Sequence, residues 1–539
     1  MKRSAQHDTM PMPMFTLRPL LTAAVLAASA SLWLPAVAAP TVAPSTVAWL
    51  PAASDADVDM AFARARAEHK PVLLYWGAKW CPPCNQLKAT LFNRQDFAER
   101  SRGFVAVNID GDLPGAQKLG SRFKVRGYPT MILFNTDGQE ITRLPGEVDA
   151  PQVMQVMQLG LSNGRPVKAV LADARAGKPL NANEWRLLAF YSWDTDEQQL
   201  APESGRRALL ASLASACPAS EPGAATRLQL KALAESDDGP APPPDAAARE
   251  RVRRLLADPA ATRAQMDVVT NWAPDIIKAV SGNDAAQRSL LAKDFDTALQ
   301  RLEADATLSR GDRFTALLER VEVARLQAGA ADDALRVQLP APLLKAVREA
   351  AAREDREITD GYERQAVITT GAYALRRAGL DAESDNLLKA SLAKSHSPYY
   401  LMSQLAGNAK ARGDKAEALR WYEQAFDKSE GPATRLEWGS SYVRALVELS
   451  PQDEARIERA AQRLLDEAAA NPHAFYERSA RTLQKAGAKL QDWNAKGAHA
   501  SAMQRLQARL DRVCGKIDAA DPQRATCEGL LKAPAKRSA

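Results

Sequence analysis

The sequence predicts an α/β domain built on a mixed sheet, followed by a larger all-α domain of solenoid type. Three observations carry this prediction. Over residues 46–164 short apolar runs alternate with amphipathic segments, the pattern of strands layered with helices. After Gly164 that alternation stops, and Ala-rich amphipathic segments follow, broken by short Gly, Pro or Asp punctuation. Aromatic residues make up only 6% of the chain, which points away from β-sandwiches, and 539 residues are too many for one ordinary domain.

The N-terminus reads as an address. Lys2, Arg3 and Arg18 precede the apolar run LLTAAVLAASASLWLP, and AVAAP follows with small residues at Ala36 and Ala38. This predicts a secretory signal peptide over residues 1–38, cleaved near Ala38 or Ala39, and a linker over 39–45. A start at Met10, Met12 or Met14 would shorten the leader. The alternative is an uncleaved anchor, but an apolar core of about 15 residues is short for a bilayer span of roughly 20. No later stretch is long and apolar enough to cross a membrane. The expectation is an exported protein, periplasmic in a Gram-negative bacterium, with no membrane span after cleavage, in a compartment where disulfides persist. A net charge of +6 over this length, with no basic run interleaved with aromatics, gives no nucleic-acid footprint.

The α/β elements follow in order. TVAWL near residue 48 is a first strand, and VDMAFARARAEH (58–69) has helical spacing. VLLYWG (72–77) is an apolar run fit for a buried strand. Gly77-Ala78 turns the chain, and Cys81 falls where a helix begins. Pro82 and Pro83 lie in its first turn, where a missing amide hydrogen is tolerated. GFVAVNID (103–110) is a strand and PGAQKLGSRFKV (114–125) a helix. PTMILFNTDGQEITRL (129–144) reads as a hairpin turning at Asp137-Gly138, and APQVMQVMQLGL (150–161) closes the unit as an amphipathic helix.

In this setting residues 46–164 resemble the thioredoxin family. The likeness rests on WCPPC at a helix start, RGYPT with Pro129, the Asp-Gly hairpin and Gly146 beyond it. A lone C-x-x-C also occurs in zinc sites. Structural zinc needs four ligands, however, no second C-x-x-C exists, and the five histidines are scattered, so no metal site is expected. Position gives the chemistry. Cys81 at a helix N-terminus sits among partner-free amides and the positive end of the dipole, which favour the thiolate that attacks a disulfide. Cys84, one turn deeper, is placed to resolve the mixed disulfide. The resemblance implies that Pro129 is cis and lies beside the cysteines. It also implies that the backbone around Tyr128, Pro129 and Thr130 pairs with an extended substrate, and that Trp80 forms an apolar lip. No cofactor is implied beyond the redox-active Cys81–Cys84 pair. The implied partners are protein thiols or disulfides and an unidentified redox partner that recharges the pair.

Two features depart from the family pattern. Many thioredoxins carry a buried aspartate six residues before the first cysteine, as proton acceptor for the resolving thiol. Here Tyr75 stands there, a poor base at neutral pH. Neither Pro82 nor Pro83 can donate a backbone hydrogen bond to a sulfur, which limits thiolate stabilisation and makes the couple less oxidising. Lys79 is the nearest charge by sequence, a candidate for holding the thiolate or simply a solvated lysine.

Residues 165–535 form the helical domain, with a Pro-rich joint at 236–245 (SDDGPAPPPD) and a disordered tail at 536–539. GLDAESDNLLKAS (379–391) and GDKAEALRWYEQA (413–425) align with Gly379 and Gly413 thirty-four residues apart, the tetratricopeptide period. The second copy resembles that repeat family through Gly413-Asp414, Ala418, Tyr422 and Ala425, and KDFDTALQRLEA (293–304) is a diverged third. Trp185, Trp193, Trp421 and Trp438 read as core, and Tyr399-Tyr400 as a groove lining or a helix start. Cys514 and Cys527 flank a turn-rich spacer and are candidates for a structural disulfide, which leaves Cys217 as a buried free thiol. Two functions stay open on these residues. One is an exported thiol–disulfide oxidoreductase whose helices recruit partners or restrict access. The other is a helical scaffold whose α/β module is regulatory or redox-inactive.

Overall fold

The computed structural model describes residues 46–146, 149–162, 164–235, 245–331 and 337–532. The expected leader and linker, the joint up to residue 244, and the tail lie outside the described residues.

The α/β domain has the expected order with one addition. Its strands are β1 (Leu50–Pro51), β2 (Val72–Gly77), β3 (Val105–Asp110), β4 (Thr130–Phe134) and β5 (Glu140–Leu144). Its helices are α1 (Asp55–Ala67), α2 (Pro82–Leu87), α3 (Gln95–Arg100), α4 (Ala116–Phe123) and α5 (Ala150–Leu161). The sheet runs β1-β3-β2-β4-β5. β3 is parallel to β1 and β2, whereas β4 is antiparallel to β2 and β5. Helix α3 is the addition. Its six residues are mostly polar, and only Phe97 and Ala98 turn inward, too little for a periodic signal.

Period-two alternation sends β2 into two cores. Leu73 and Tyr75 pack with Val153 and Met157 of α5, whereas Val72, Leu74 and Trp76 pack with Val58 and Phe62 of α1. Every residue of β2 is therefore buried, which fixes the strand end from which the cysteines are launched.

From Val167 to Gly529 the named elements are all helices. Gly379 and Gly413 both have positive φ, 76° and 81°, and each follows a helix end and precedes a new helix. Ala418 and Ala425 are fully buried where that second pair closes. Trp185 and Trp193 are core residues of the first helices. Cys514, ending the helix Ala500–Cys514, is disulfide-bonded to Cys527 in the helix Gln523–Gly529. Cys217 is free but half-buried rather than buried, because it lies just past the end of the helix Arg206–Ala216, where the chain turns.

Helices of this region that meet the α/β domain around α2 and α4 are α6 (Arg310–Gln327), α7 (Gly361–Arg377), α8 (Pro398–Ala411), α9 (Pro432–Leu449) and α10 (Glu477–Trp493). α7 lies along α2, and α10 packs on α4. The two parts also interlock near the sheet edge. Buried Arg143 of β5 donates to the carbonyls of Lys124 and Thr195 at 2.6 and 3.1 Å.

Candidate active site

Strand β2 ends at Gly77, and Ala78–Trp80 turn the chain into α2 with Cys81 as its N-cap. Prolines fill the next two positions, so the first amide left to donate is that of Cys84. It gives its hydrogen to Cys81 Sγ at 3.2 Å. Cys81 and Cys84 are joined as a disulfide. The turn is held by Asn85, whose Nδ2 donates to the carbonyls of Lys79 and Cys81 at 2.8 Å each. Asn85 is fully buried. It is a positioning residue that the C-x-x-C motif does not reveal, and its one sequence signal is a polar side chain on the inner side of α2.

The Tyr128-Pro129 peptide is cis. Tyr128 packs with Trp80 against Ala78 and the two cysteines. Its hydroxyl accepts from Gln117 Nε2 at 2.9 Å, and burial pushes the phenol up to about 12. The Thr130 side chain turns inward. It is buried, and its hydroxyl donates to the Gly127 carbonyl at 2.8 Å, so it shapes the loop that presents Tyr128 and Pro129. The Tyr75 hydroxyl is buried without a hydrogen-bond partner, and burial raises its pKa further, so it supplies no base for Cys84. Lys79 pairs with Glu430 at 3.0 Å, and both side chains are exposed. Its partner is thus a carboxylate of the helical region.

The redox pair is covered: Cys81 is 3% exposed and Cys84 0%. Trp80 is no open lip. Its ring stacks on Tyr400 of α8 with centroids 6.0 Å apart, and meets Trp438 of α9 edge-on at 5.1 Å. Its indole Nε1 donates to Thr434 Oγ1 at 2.9 Å, and its carbonyl accepts from Gln365 Nε2 of α7 at 3.1 Å. The Arg478 guanidinium lies over the rings of Trp80 and Tyr128, at 5.1 and 5.5 Å. Trp438 is core, as its residue type suggests, but that core includes the redox lip.

Polar contacts rim this apolar patch. Asp112 Oδ1 accepts from the Thr434 amide at 2.6 Å. Gln86 Nε2 of α2 donates to Asp312 of α6 at 2.6 Å. Ser121 of α4 donates to Glu477 at 2.6 Å, and Arg481 to the Arg126 carbonyl at 3.0 Å. Burial raises the Asp112 carboxyl to about 6, with Asp110 adding repulsion and the amides of Thr434 and Ala433 opposing the shift. Asp112, Gln365 and Thr434 are the site residues the sequence does not disclose, because each is an ordinary turn or helix residue until the two parts meet. Among the described residues no cluster of His, Cys, Asp and Glu could hold a metal ion, and no helix is long and apolar enough to cross a membrane.

Comparison with known proteins places the likeness in this part of the chain. Residues 58–160 match the family described as Thioredoxin-like domain. The thiol:disulfide interchange protein DsbD of Pseudomonas fluorescens is 35% identical over 106 residues, 19% of this chain and 18% of that protein. DsbD 2 of Pseudomonas aeruginosa is 33% identical over 99 residues, 18% of this chain and 17% of the relative. DsbD of Klebsiella pneumoniae is 33% identical over 101 residues, again 18% and 17%. The chain spans less than a fifth of the length of these curated relatives.

Proposed function

We propose that the protein is an exported thiol–disulfide oxidoreductase exchanging disulfides with protein substrates through Cys81 and Cys84. The observation that carries the reading is the pair itself: a disulfide at a helix N-terminus beside a cis-proline loop. In the oxidising direction a substrate thiolate attacks Cys81 Sγ, a mixed disulfide forms, and Cys84 leaves as thiolate. A second substrate thiolate then attacks its own sulfur in the mixed bond and releases Cys81. Two electrons pass to the pair, and the substrate protons go to water. The reducing direction is the reverse, with Cys81 as attacking thiolate and Cys84 as resolving thiol.

With one backbone donor at Cys81, the reduced form gains little stabilisation, and the couple is expected to be less oxidising than the strong periplasmic oxidants near about −120 mV. Equilibration with glutathione measures this, and a value at that level contradicts it. The basic and apolar leader pattern supports export, and the paired helices at Gly379 and Gly413 support a tetratricopeptide-type array that recruits a partner. Insulin reduction by the full chain tests the enzyme reading. Activity that disappears in Cys81→Ser supports it, and equal activity in both overturns it. Trapping with Cys84→Ala, which keeps the nucleophile without the resolving thiol, identifies substrates and the recharging partner by mass spectrometry.

One observation favours the second reading, a scaffold with a redox-inactive module: the pair is covered. Against it, a pure binding module has no chemical need for either thiol.

A further inference from the structure

We propose that the first turn of α9, with Gln365 of α7, is an autoinhibitory latch over the redox pair, and that exchange requires this latch to lift while the rest of the chain stays folded. The inference rests on the oxidoreductase reading and adds to it how the site is regulated.

The latch is built from both parts of the chain. α9 is 18 residues long and needs its first amides satisfied. Its own N-cap is Gly431, which has no side chain to give and makes no capping bond. Asp112, from the turn after β3, takes that role across the interface by accepting from the Thr434 amide. The fit excludes a side chain at 431. A Cβ there would lie 1.6 Å from Asp112 Oδ2, and φ is +88°. Thr434 then holds the Trp80 indole, and Gln365 holds the Trp80 carbonyl. Trp80 packs against Cys81, which is buried, so a sulfur nucleophile has no approach to Cys81 while Trp80 is held in place.

The contacts are of a kind that releases locally. They are a few hydrogen bonds, one exposed ion pair and the ring contacts of a half-buried Trp80 with Tyr400, Trp438 and Arg478. Hydrogen bonds of this sort each contribute modestly, and exposed pairs less. Beyond its first turn α9 itself rests on continuous apolar packing through Leu436, Tyr442, Val443 and Leu446. Opening free energies below that of global unfolding are expected where polar contacts of this kind separate apolar cores.

The test reads access, not activity. The full chain is reduced with a phosphine, and the Cys81 thiol is titrated with a polyethylene-glycol maleimide and, separately, with N-ethylmaleimide. Glu430→Lys combined with Thr434→Ala replaces attraction to Lys79 by repulsion and frees the Trp80 indole. Gln365→Ala, far from both positions in sequence, is the independent variant. Either one, folded as judged by an unchanged urea midpoint, is expected to raise the rate with the bulky reagent on the order of tenfold, the factor that about 1.4 kcal/mol represents. The small reagent should change less. Unchanged bulky-reagent rates in both variants overturn the latch. A rise seen only where the urea midpoint has dropped also overturns it, since exposure then comes from global unfolding. If the latch variants expose Cys81 but neither they nor the wild type reduce insulin, the latch stands and the oxidoreductase reading falls.

Discussion

The molecule contains two disulfides that are almost equally hidden. Cys514 and Cys527 are 2% and 0% exposed, and Cys81 and Cys84 are 3% and 0%. The sources of that burial differ. The first pair is embedded among Leu506, Leu510, Val513 and Leu530, apolar neighbours from the helices it joins. The redox pair has a small apolar cluster of its own, and its lid comes from residues such as Thr434, 354 positions beyond the tryptophan they hold. One bond is hidden by the core in which it folds, the other by a separate surface laid over it. Burial alone therefore does not distinguish a structural disulfide from a reactive one. What distinguishes them is the set of elements that must move to expose it.

Substitutions that belong to only one side of this contrast separate the two cases. Trp438 belongs to both, packing on Tyr399 and on Trp80, with its indole donating to the Tyr399 carbonyl. Trp438→Ala should lower global stability by about 3–5 kcal/mol in urea titrations and expose Cys81 as well. Replacing Cys514 and Cys527 together by serine should lower stability by about 3 kcal/mol and leave insulin turnover per folded molecule unchanged. Cys84→Ala should do the opposite, abolishing turnover with a smaller stability loss, because its loop is much shorter.

A pH dependence is expected from Asp112. Its carboxyl is raised from 3.8 to about 6 in the closed chain by burial and by Asp110, with the α9 amides opposing the shift and Tyr128, Glu437 and Arg478 lining the same cleft. A raised value means that the closed state prefers the protonated form. Asp112 thus favours closure fully below about pH 4, and that contribution is lost as pH rises through about 6. Alkylation of Cys81 should accelerate across that window, and Asp112→Asn should flatten the profile. Smallest of all, Tyr75→Phe should leave the exchange rate unchanged and raise stability slightly, since it removes a buried hydroxyl that bonds to nothing and is no proton acceptor.

The redox module was legible because each of its elements announces itself locally. VLLYWG is a strand both of whose faces are covered, the prolines of WCPPC fit the first turn of a helix, and Asp137-Gly138 turns a hairpin. Helix α3 was not legible, since two inward residues make no period. The lid was invisible for a different reason. Gly431-Pro432 reads as an ordinary helix start and Asp112 as an ordinary turn residue, and nothing in either stretch shows that one caps the other. The inward turn of the Thr130 side chain was not legible either, because the loop pattern fixes backbone shape but does not say which side chains turn inward. Trp438 and Tyr400 were readable as apolar residues on helices, but their partner, Trp80, lies in the other domain.

The account is tested most directly by following reduction of both disulfides in one sample by a small dithiol, at increasing urea below the unfolding transition. A lid that lifts locally exposes little surface, so reduction of Cys81–Cys84 should depend weakly on urea. Reduction of Cys514–Cys527 should follow the full slope of global unfolding. Parallel slopes for the two would mean that both are buried in the same way, and would contradict the account.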